Sequence, residues 1–257
     1  MYAVYKNSGE TPLACIDRLF DRSKHTYTYA GRLDPLAEGL LIILVDDECK
    51  KASSAYGLSK TYQFSFVVGV ATDSYDCLGR ITEHKPVKDD TAHRVRRAVS
   101  SMQGSLTMPY PPYSSKAVQG KPLHQHARDG TLASVTIPET TMTISSFEIL
   151  RAEQLSLSTV RNTAEQSIRR VRGDFRQTAI LKDWSNLQET SVYQIHAQAS
   201  VGAGTYIRSL VHAIGNQIGQ PTVTTHIKRT AVGNLSLTDV TQSPVEVPFQ
   251  RLQERVC

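Results

Sequence analysis

Residues 30–39 read Ala30-Gly31-Arg32-Leu33-Asp34-Pro35-Leu36-Ala37-Glu38-Gly39, and the apolar run Leu40-Leu41-Ile42-Ile43-Leu44-Val45 follows directly. The glycines and the proline predict a bent loop, and the uninterrupted apolar residues after it predict a buried strand. A carboxylate held on a loop at the end of a buried strand suits a nucleophile or an acid–base group. The stretch alone leaves a second interpretation open, in which Asp34 only stabilises a turn.

The same stretch resembles the central motif of the TruB-type pseudouridine synthases, in outline His-x-Gly-x-Leu-Asp-Pro-x-Ala-x-Gly. Enzymes of that family isomerise a uridine in the T loop of tRNA. Other family motifs are matched in order by residues 6–12, 59–64, 69–79, 102–104, 111–123, 204–210 and 227–229. Among these, Gly204-Thr205-Tyr206-Ile207-Arg208 is especially close to the family pattern. The similarity spans about residues 3 to 236, so the chain is identified as resembling this family.

The resemblance implies an α+β pseudouridine synthase fold, with a central, mainly antiparallel mixed sheet flanked by helices and RNA-binding loops. The apolar periodicity independently predicts alternating strands and helices. Tyr62, Phe64, Phe66 and Val68 should share one face of a strand. Strands are predicted at residues 3–5, 40–45, 61–70, 141–155 and 192–201, and in short pieces up to 237; helices are predicted at 13–20, 92–102, 123–128 and 206–218.

By this resemblance, residues 1–237 form the catalytic domain and residues 238–257 a short tail, too short for the complete RNA-binding PUA domain of many relatives. Residues 156–188 form a basic insertion where shorter family members have only a brief link. Val160, Ala164, Ile168, Val171 and Phe175 recur at helical spacing, whereas four arginines fall elsewhere on the helix. We expect a surface helix packed on the sheet, or a flap whose arginines contact RNA phosphates, and both can hold for different faces.

Composition agrees with an intracellular protein that has a polyanionic partner. The formal net charge of the 257 residues is +5. Four cysteines without a Cys-x-x-Cys pair predict reduced thiols, and neither a signal peptide nor a membrane-spanning segment is expected, which favours a cytoplasmic location. His124-Gln125-His126 is too sparse for a metal site, and no phosphate-binding loop or dinucleotide motif is present. We therefore expect no metal and no cofactor.

The implied reaction breaks the C1′–N1 bond of uridine, turns the uracil and rejoins it through C5, without net redox chemistry. The resemblance assigns Asp34 as the nucleophile, and leaves open whether it attacks C1′ of the sugar or C6 of the base. It assigns Tyr62 to stacking on the base and to accepting the C5 proton. Arg208 is expected to pair with Asp34, because a guanidinium favours and orients an ionised carboxylate. Tyr206 and Ile227 are expected to line the uracil pocket.

A uridine in a folded loop must be flipped out of its stack to reach such a pocket. Tyr29 stands in this sequence where the family usually has a histidine that fills space vacated by flipped nucleotides, and a tyrosine can stack there too. Lys116, Lys121 and Arg128 are candidate phosphate contacts. The expected partner is the T-arm stem-loop of tRNA, bound by a monomer without an obligate protein partner. Two alternatives remain: a ribosomal RNA pseudouridine synthase, and a tRNA-binding folding factor whose catalysis is dispensable.

Overall fold

The computed structural model of the 257-residue chain describes residues 1–241 and 243–252. The strands, numbered in chain order, are β1 (Tyr2–Lys6), β2 (Tyr27–Ala30), β3 (Glu38–Val45), β4 (Lys60–Val68), β5 (Val70–Thr72), β6 (Ile81–His84), β7 (Gly104–Pro109), β8 (Ala117–Val118), β9 (Lys121–Pro122), β10 (Glu139–Ser156), β11 (Ser191–Val201), β12 (Thr222–Val232), β13 (Leu235–Ser236) and β14 (Val245–Glu246). The α-helices are α1 (Pro12–Leu19), α2 (Ala52–Tyr56), α3 (Thr91–Ser101), α4 (Leu123–Arg128), α5 (Leu157–Arg170), α6 (Gln177–Ser185) and α7 (Ile207–Ile218). Short 3-10 turns lie at Asp46–Lys51, Leu132–Ser134, Leu237–Asp239 and Phe249–Leu252.

One large sheet organises the described residues. Its main order is β14-β1-β3-β12-β4-β11-β10-β7, with β2 paired to β3 and β13 to β12. All these pairs are antiparallel except β3 and β12, which run parallel where Glu38 faces Lys228 and Gly39 faces Arg229. The expected α+β fold with a mainly antiparallel mixed sheet is confirmed. Each longer strand predicted by periodicity is present, and the short pieces expected up to residue 237 are the 11-residue β12 and the short β13. The short strands β2, β5, β6, β7, β8, β9 and β14 were not predicted.

Both faces of the sheet centre are covered by helices. Tyr62, Phe64, Phe66 and Val68 lie on one face of β4, as their alternation predicted, and pack with the apolar residues of α3 and α7. Val67, between Phe66 and Val68 in the strand, lies on the opposite face of β4 and packs with the apolar residues of α5 and α6. Helix α7 ends at Gly219, whose left-handed φ of 61° is the conformation that glycine adopts without strain.

The insertion forms two helices rather than one. Ser156 caps α5 by accepting a hydrogen bond from the backbone N–H of Thr159, and α5 ends at Arg170. Gly173 then turns the chain with φ of 93°, so the apolar spacing that runs through Phe175 does not correspond to one continuous helix. The apolar side of α5 and α6 packs on the sheet through Leu157, Val160, Ala164, Ile168, Ile180 and Trp184.

The described residues beyond Leu237 also contact the sheet. β14 pairs with β1 at the sheet edge, and Val247 and Leu252 are buried in the adjacent apolar cluster. Within residues 1–241 and 243–252, no helix combines the length and apolar character needed to cross a membrane. In the same residues, no group of three or more His, Cys, Asp or Glu side chains is arranged to hold a metal ion.

Candidate active site

The loop that carries Asp34 joins β2 to β3 at the place where β3 meets β12. Gly39 lies so close to β12 that an added Cβ would overlap the carbonyl oxygen of Arg229, and its φ of 108° is unfavourable for other residues. Gly31 has φ of 77°, and a Cβ there would lie 3.1 Å from Nη1 of Arg229. The two glycines therefore allow the Asp34 loop to lie directly on β12 and its side chains.

Two buried cations hold this loop through its carbonyl groups. Lys6 donates from Nζ to the carbonyl oxygens of Ala37, at 2.5 Å, and Asn7, at 3.0 Å. Arg229 donates from Nε to Leu40, at 2.7 Å, and from Nη1 to Gly31, at 3.0 Å. Because these bonds lie on both sides of Asp34, they restrict the positions that its backbone can take. Burial is the main cause that lowers the pKa of Lys6 to about 8.

Asp34 and Arg208 form a bidentate ion pair. Nε of Arg208 donates to Oδ2 of Asp34 at 2.7 Å, and Nη2 donates to Oδ1 at 3.1 Å. The Arg208 side chain is 2% exposed and the Asp34 side chain 23% exposed, so the carboxylate is the member that remains accessible. This geometry fixes the orientation of the carboxylate. The pairing expected from the resemblance is thus present as a contact.

Backbone carbonyls and a second carboxylate complete the surroundings of Arg208. Nη1 donates to the carbonyl oxygen of Ser74 at 2.6 Å, and Nη2 to that of Tyr113 at 3.1 Å. Asp76 lies 3.6 Å from Nε. Burial opposes the charge on Arg208, but Asp34 and Asp76 together raise the pKa of the guanidinium. Burial also raises the pKa of Asp76, whereas Arg208 opposes that rise.

A cavity of about 520 Å³ opens above this ion pair. Asp34, Tyr62 and Arg208 line it together with Tyr29, Tyr206 and Ile227, so the residues that the sequence assigned to the base pocket are brought together. Burial, followed by the charge of Asp34, raises the pKa of Tyr206. The remaining lining residues include Tyr56, Lys60, Ser114, His124, Phe175 and Arg176.

Tyr29 lies at the cavity on β2, where its hydroxyl accepts a hydrogen bond from Nη2 of Arg32 at 2.7 Å. Its backbone carbonyl accepts a bond from the hydroxyl of Tyr56 at 3.0 Å. Tyr29 is only partly buried and lines the cavity, so a ligand in the cavity can contact it. The structure therefore places a flat aromatic group where the family pattern has histidine.

The three candidate phosphate contacts are placed differently. Arg128 lines the cavity, whereas Lys116 and Lys121 lie outside its lining. The ammonium of Lys116 is over the Tyr110 ring, 5.2 Å from its centroid, and Lys121 pairs with Asp129. The two histidines near them also separate. His124 lines the cavity, while His126 is buried against Thr131 and the carbonyl of Val118, so they do not form a joint metal site.

Sequence reasoning missed several residues that build the site. Asp76 and Ser74 belong to the matched segment 69–79, but nothing in that pattern shows that they meet Arg208. Lys6 and Arg229 also lie within matched motifs. A Lys or Arg in a motif without an assigned role was the signal that these two residues belong to the site. Arg176 of the insertion lines the cavity as well; it is one of the four arginines offered from the sequence as RNA phosphate contacts, but no motif placed it at the cavity.

Comparisons with known proteins show what this chain is similar to. A family model described as TruB family pseudouridylate synthase (N terminal domain) matches residues 18–168. A curated tRNA pseudouridine synthase B from Limosilactobacillus reuteri is 29% identical over 236 residues, which cover 91% of this chain and 67% of the relative. Proteins of the same name from Nitratidesulfovibrio vulgaris (strain Miyazaki F) and Aquifex aeolicus are 28% and 24% identical over 87% and 90% of the chain. The chain spans 60% and 68% of the length of these two relatives.

Among solved structures, the chain is similar to one in the crystal structure of a Cbf5-Nop10-Gar1 complex, with a TM-score of 0.55 and 15% identity. The alignment covers 93% of this chain and 51% of the other, and at this identity it supports the fold alone. The family match covers more than half of the chain, and the segments within it include the loop of Asp34 and the strand of Tyr62. The chain therefore belongs to the TruB family of pseudouridylate synthases.

Proposed function

We propose that this chain isomerises uridine to pseudouridine in the T loop of tRNA, at uridine-55. The observation that carries the proposal is the bidentate Asp34–Arg208 pair at the base of a cavity that Tyr62 also lines. The cavity volume, about 520 Å³, lies within the range of about 300–1,000 Å³ that is typical of small-molecule sites, so a single nucleoside fits. The curated relatives named tRNA pseudouridine synthase B support tRNA as the substrate.

In this proposal, Asp34 is the nucleophile. Its carboxylate forms a bond to C1′ or C6 of the target uridine while the C1′–N1 bond breaks. The uracil turns and C5 bonds to C1′. The bond between Asp34 and the substrate then breaks, in the C1′ case as C5 attacks and in the C6 case as the C5 proton leaves, so the carboxylate is regenerated. The proton on C5 is then removed and N1 regains a proton, so the product is an isomer and no external group is consumed. Arg208 orients the carboxylate toward the cavity before the attack through its two hydrogen bonds.

Tyr62 stacks on the uracil in the same proposal, and its phenol oxygen takes the C5 proton while the phenol gives up its own proton, which balances the proton that N1 gains. Its strand lies in the middle of the sheet, and the residue is 6% exposed, so the surrounding protein fixes the position of the ring at the cavity. Tyr206 and Ile227 enclose the turning base from the other lining positions. After the C1′–N1 bond breaks, a rigid apolar enclosure keeps the uracil close to the sugar until C5 bonds to C1′.

The target uridine reaches the cavity by base flipping, and Tyr29 stacks on the RNA at the cavity edge. Arg128 contacts phosphate directly at the cavity, and Lys116 and Lys121 contact phosphates farther along the stem-loop. Pro35 after the aspartate and the Gly204–Arg208 motif favour a tRNA substrate over a ribosomal one, because both features resemble the tRNA-modifying type. The relatives' names favour the same choice.

The experiment is tritium release from a T-arm stem-loop labelled with [5-³H]uridine. The parent protein should release tritium, Asp34→Asn should release none, and both should bind the stem-loop with similar affinity because the side chains have nearly the same volume. Asp89→Asn, which alters an exposed carboxylate outside the cavity, is the matched control and should behave as the parent. Turnover by Asp34→Asn would contradict the nucleophile assignment. Binding by the parent without release would favour the folding-factor alternative.

A further inference from the structure

The corner between α5 and α6, residues 172–176, reaches the candidate active site although it belongs to the insertion. Phe175 and Arg176 line the same cavity as Asp34. The backbone N–H of Arg172 donates to the carbonyl oxygen of Gly9 at 3.0 Å, and the N–H of Gly9 donates to that of Pro35 at 2.8 Å. One chain of backbone hydrogen bonds thus links the corner to the residue directly after Asp34.

Arg176 anchors the corner. Its guanidinium donates to both carboxylate oxygens of Asp73, at 2.8 and 3.2 Å, and lies over the Tyr113 ring, 4.7 Å from its centroid. The Tyr113 hydroxyl donates to Asp73 at 3.2 Å. Arg176 adopts a left-handed φ of 65°, a costly conformation for a long side chain that persists only where its surroundings impose it. The corner is therefore held in a defined position at the cavity.

The anchored corner places Phe175 at the cavity. It is half-buried, its N–H donates to Oε1 of Gln177 at 2.8 Å, and the Arg128 guanidinium lies over its ring, 5.5 Å from the centroid. Arg128 is exposed and donates to the backbone carbonyl of Asp174 at 3.3 Å. An aromatic face beside an exposed guanidinium is the combination with which proteins bind unpaired nucleotides, by stacking and by phosphate contact.

Tyr113 lies between this surface and the Asp34–Arg208 pair. Its carbonyl oxygen binds Arg208, the partner of Asp34, whereas its ring faces Arg176. A nucleotide at Phe175 is consequently a neighbour of the flipped uridine and not the uridine itself. We propose that the corner is an additional wall of the RNA site, in which Phe175 stacks on the base of a nucleotide next to the target uridine and Arg128 binds its phosphate. This inference rests on the proposed function.

The test compares protein variants with altered RNAs. RNA binding is measured for three proteins that all carry Asp34→Asn, which prevents turnover. One keeps Phe175, one also carries Phe175→Leu, and one also carries Phe175→Tyr. The RNAs are the intact T-arm stem-loop and two versions in which the nucleotide on either side of the target uridine is abasic. Leucine keeps the apolar volume that Phe175 packs against the insertion core, and tyrosine keeps the ring. Thermal melting of each variant reports on folding.

Phe175→Leu should weaken binding of the intact stem-loop about fivefold or more, in line with the loss of one base–aromatic stack. With the abasic RNA that lacks the stacked base, Phe175→Leu should change the affinity little. Phe175→Tyr should bind the RNAs with the affinity of the parent. An equal loss with all three RNAs, or no loss with any, would overturn the inference while tritium release by the parent upheld the proposed function. If the parent neither bound the stem-loop nor released tritium, both proposals would fall.

Discussion

Asp76 lies 3.6 Å from the Arg208 guanidinium, on the same Nε that donates to Asp34 at 2.7 Å. A single buried cation therefore faces two carboxylates. Burial raises the pKa of Asp76, and the charge of Asp34 adds to the rise. A carboxyl group that ionises less readily attracts the shared cation less strongly. The charge of Arg208 is consequently directed mainly to Asp34, the carboxylate that is accessible from the cavity.

Replacing Arg208 should affect stability and activity through different partners. Arg208→Ala leaves the buried carboxylate of Asp76 without its cation, a change that typically costs about 3–5 kcal/mol. The double variant Arg208→Ala/Asp76→Asn should recover much of that stability in urea unfolding, but it should stay nearly inactive in tritium release. Recovery of the rate together with the stability would mean that Arg208 does not orient Asp34.

Arg208→Lys separates charge from geometry at the same position. Lysine supplies a positive charge but not the planar pair of N–H groups that binds both oxygens of Asp34. We expect the variant to fold, and its rate constant to fall by an order of magnitude or more while the affinity for RNA changes little. A rate equal to that of the parent would show that charge alone suffices.

Tyr62→Phe should retain stacking and remove the proton acceptor. Loss of an acid–base group typically lowers the rate about 10²–10⁴-fold, so single-turnover isomerisation should slow by that amount with little change in RNA affinity. Tyr62→Leu, which also removes the ring, should weaken RNA binding in addition. An unchanged rate for Tyr62→Phe would exclude the phenol as the acceptor of the C5 proton.

Lys6 should leave a signature in the pH dependence of stability. Its pKa is lowered from 10.5 to about 8, mainly by burial. Between these values the unfolded chain holds a proton that the folded chain has released, so the free energy of unfolding rises with pH. Relative to Lys6→Met, the parent should gain up to about 3 kcal/mol across this window, at about 1.4 kcal/mol per pKa unit.

Urea unfolding of the parent and Lys6→Met at both ends of the window measures this gain. Lys50→Met is the matched control, because the Lys50 side chain is 81% exposed and should show no such difference. A difference between parent and Lys6→Met that stayed flat or fell with rising pH would contradict the lowered pKa of Lys6.

Tyr29 should act through its ring. Tyr29→Ala should weaken T-arm binding about fivefold or more, as expected for a lost base stack, whereas Tyr29→His should stay close to the parent. Tyr27→Ala on the same strand is the control, since Tyr27 packs against Phe20, with ring centroids 5.0 Å apart, and lies outside the cavity lining. Equal binding losses for Tyr27→Ala and Tyr29→Ala would indicate a general effect on β2 instead.

The sequence predicted the elements whose local pattern is strong. The alternation in β4, the apolar run of β3 and the helical spacing of α7 each reflect burial of one face or both, so they are readable from short windows. The motif around Asp34 and the family resemblance predicted the base-pocket residues, and the structure brings these to one cavity. Strands β2 and β7 escaped prediction because most of their residues are partly exposed and carry no clear alternation.

Contacts between distant segments were decided by the tertiary structure alone. Asp34 and Arg208 are 174 positions apart, and the resemblance predicted their pairing. Asp76 joins them because the loop after β5 pairs with Thr224 of β12. Arg176 reaches Asp73 because Gly173 breaks the insertion helix and the packing of α5 and α6 on the sheet aims the corner inward. The local residue pattern therefore determined the helices, the strands and the loop that carries Asp34. The charged surroundings of Asp34 and the wall formed by the insertion depend on long-range packing. No short window of sequence encodes that packing.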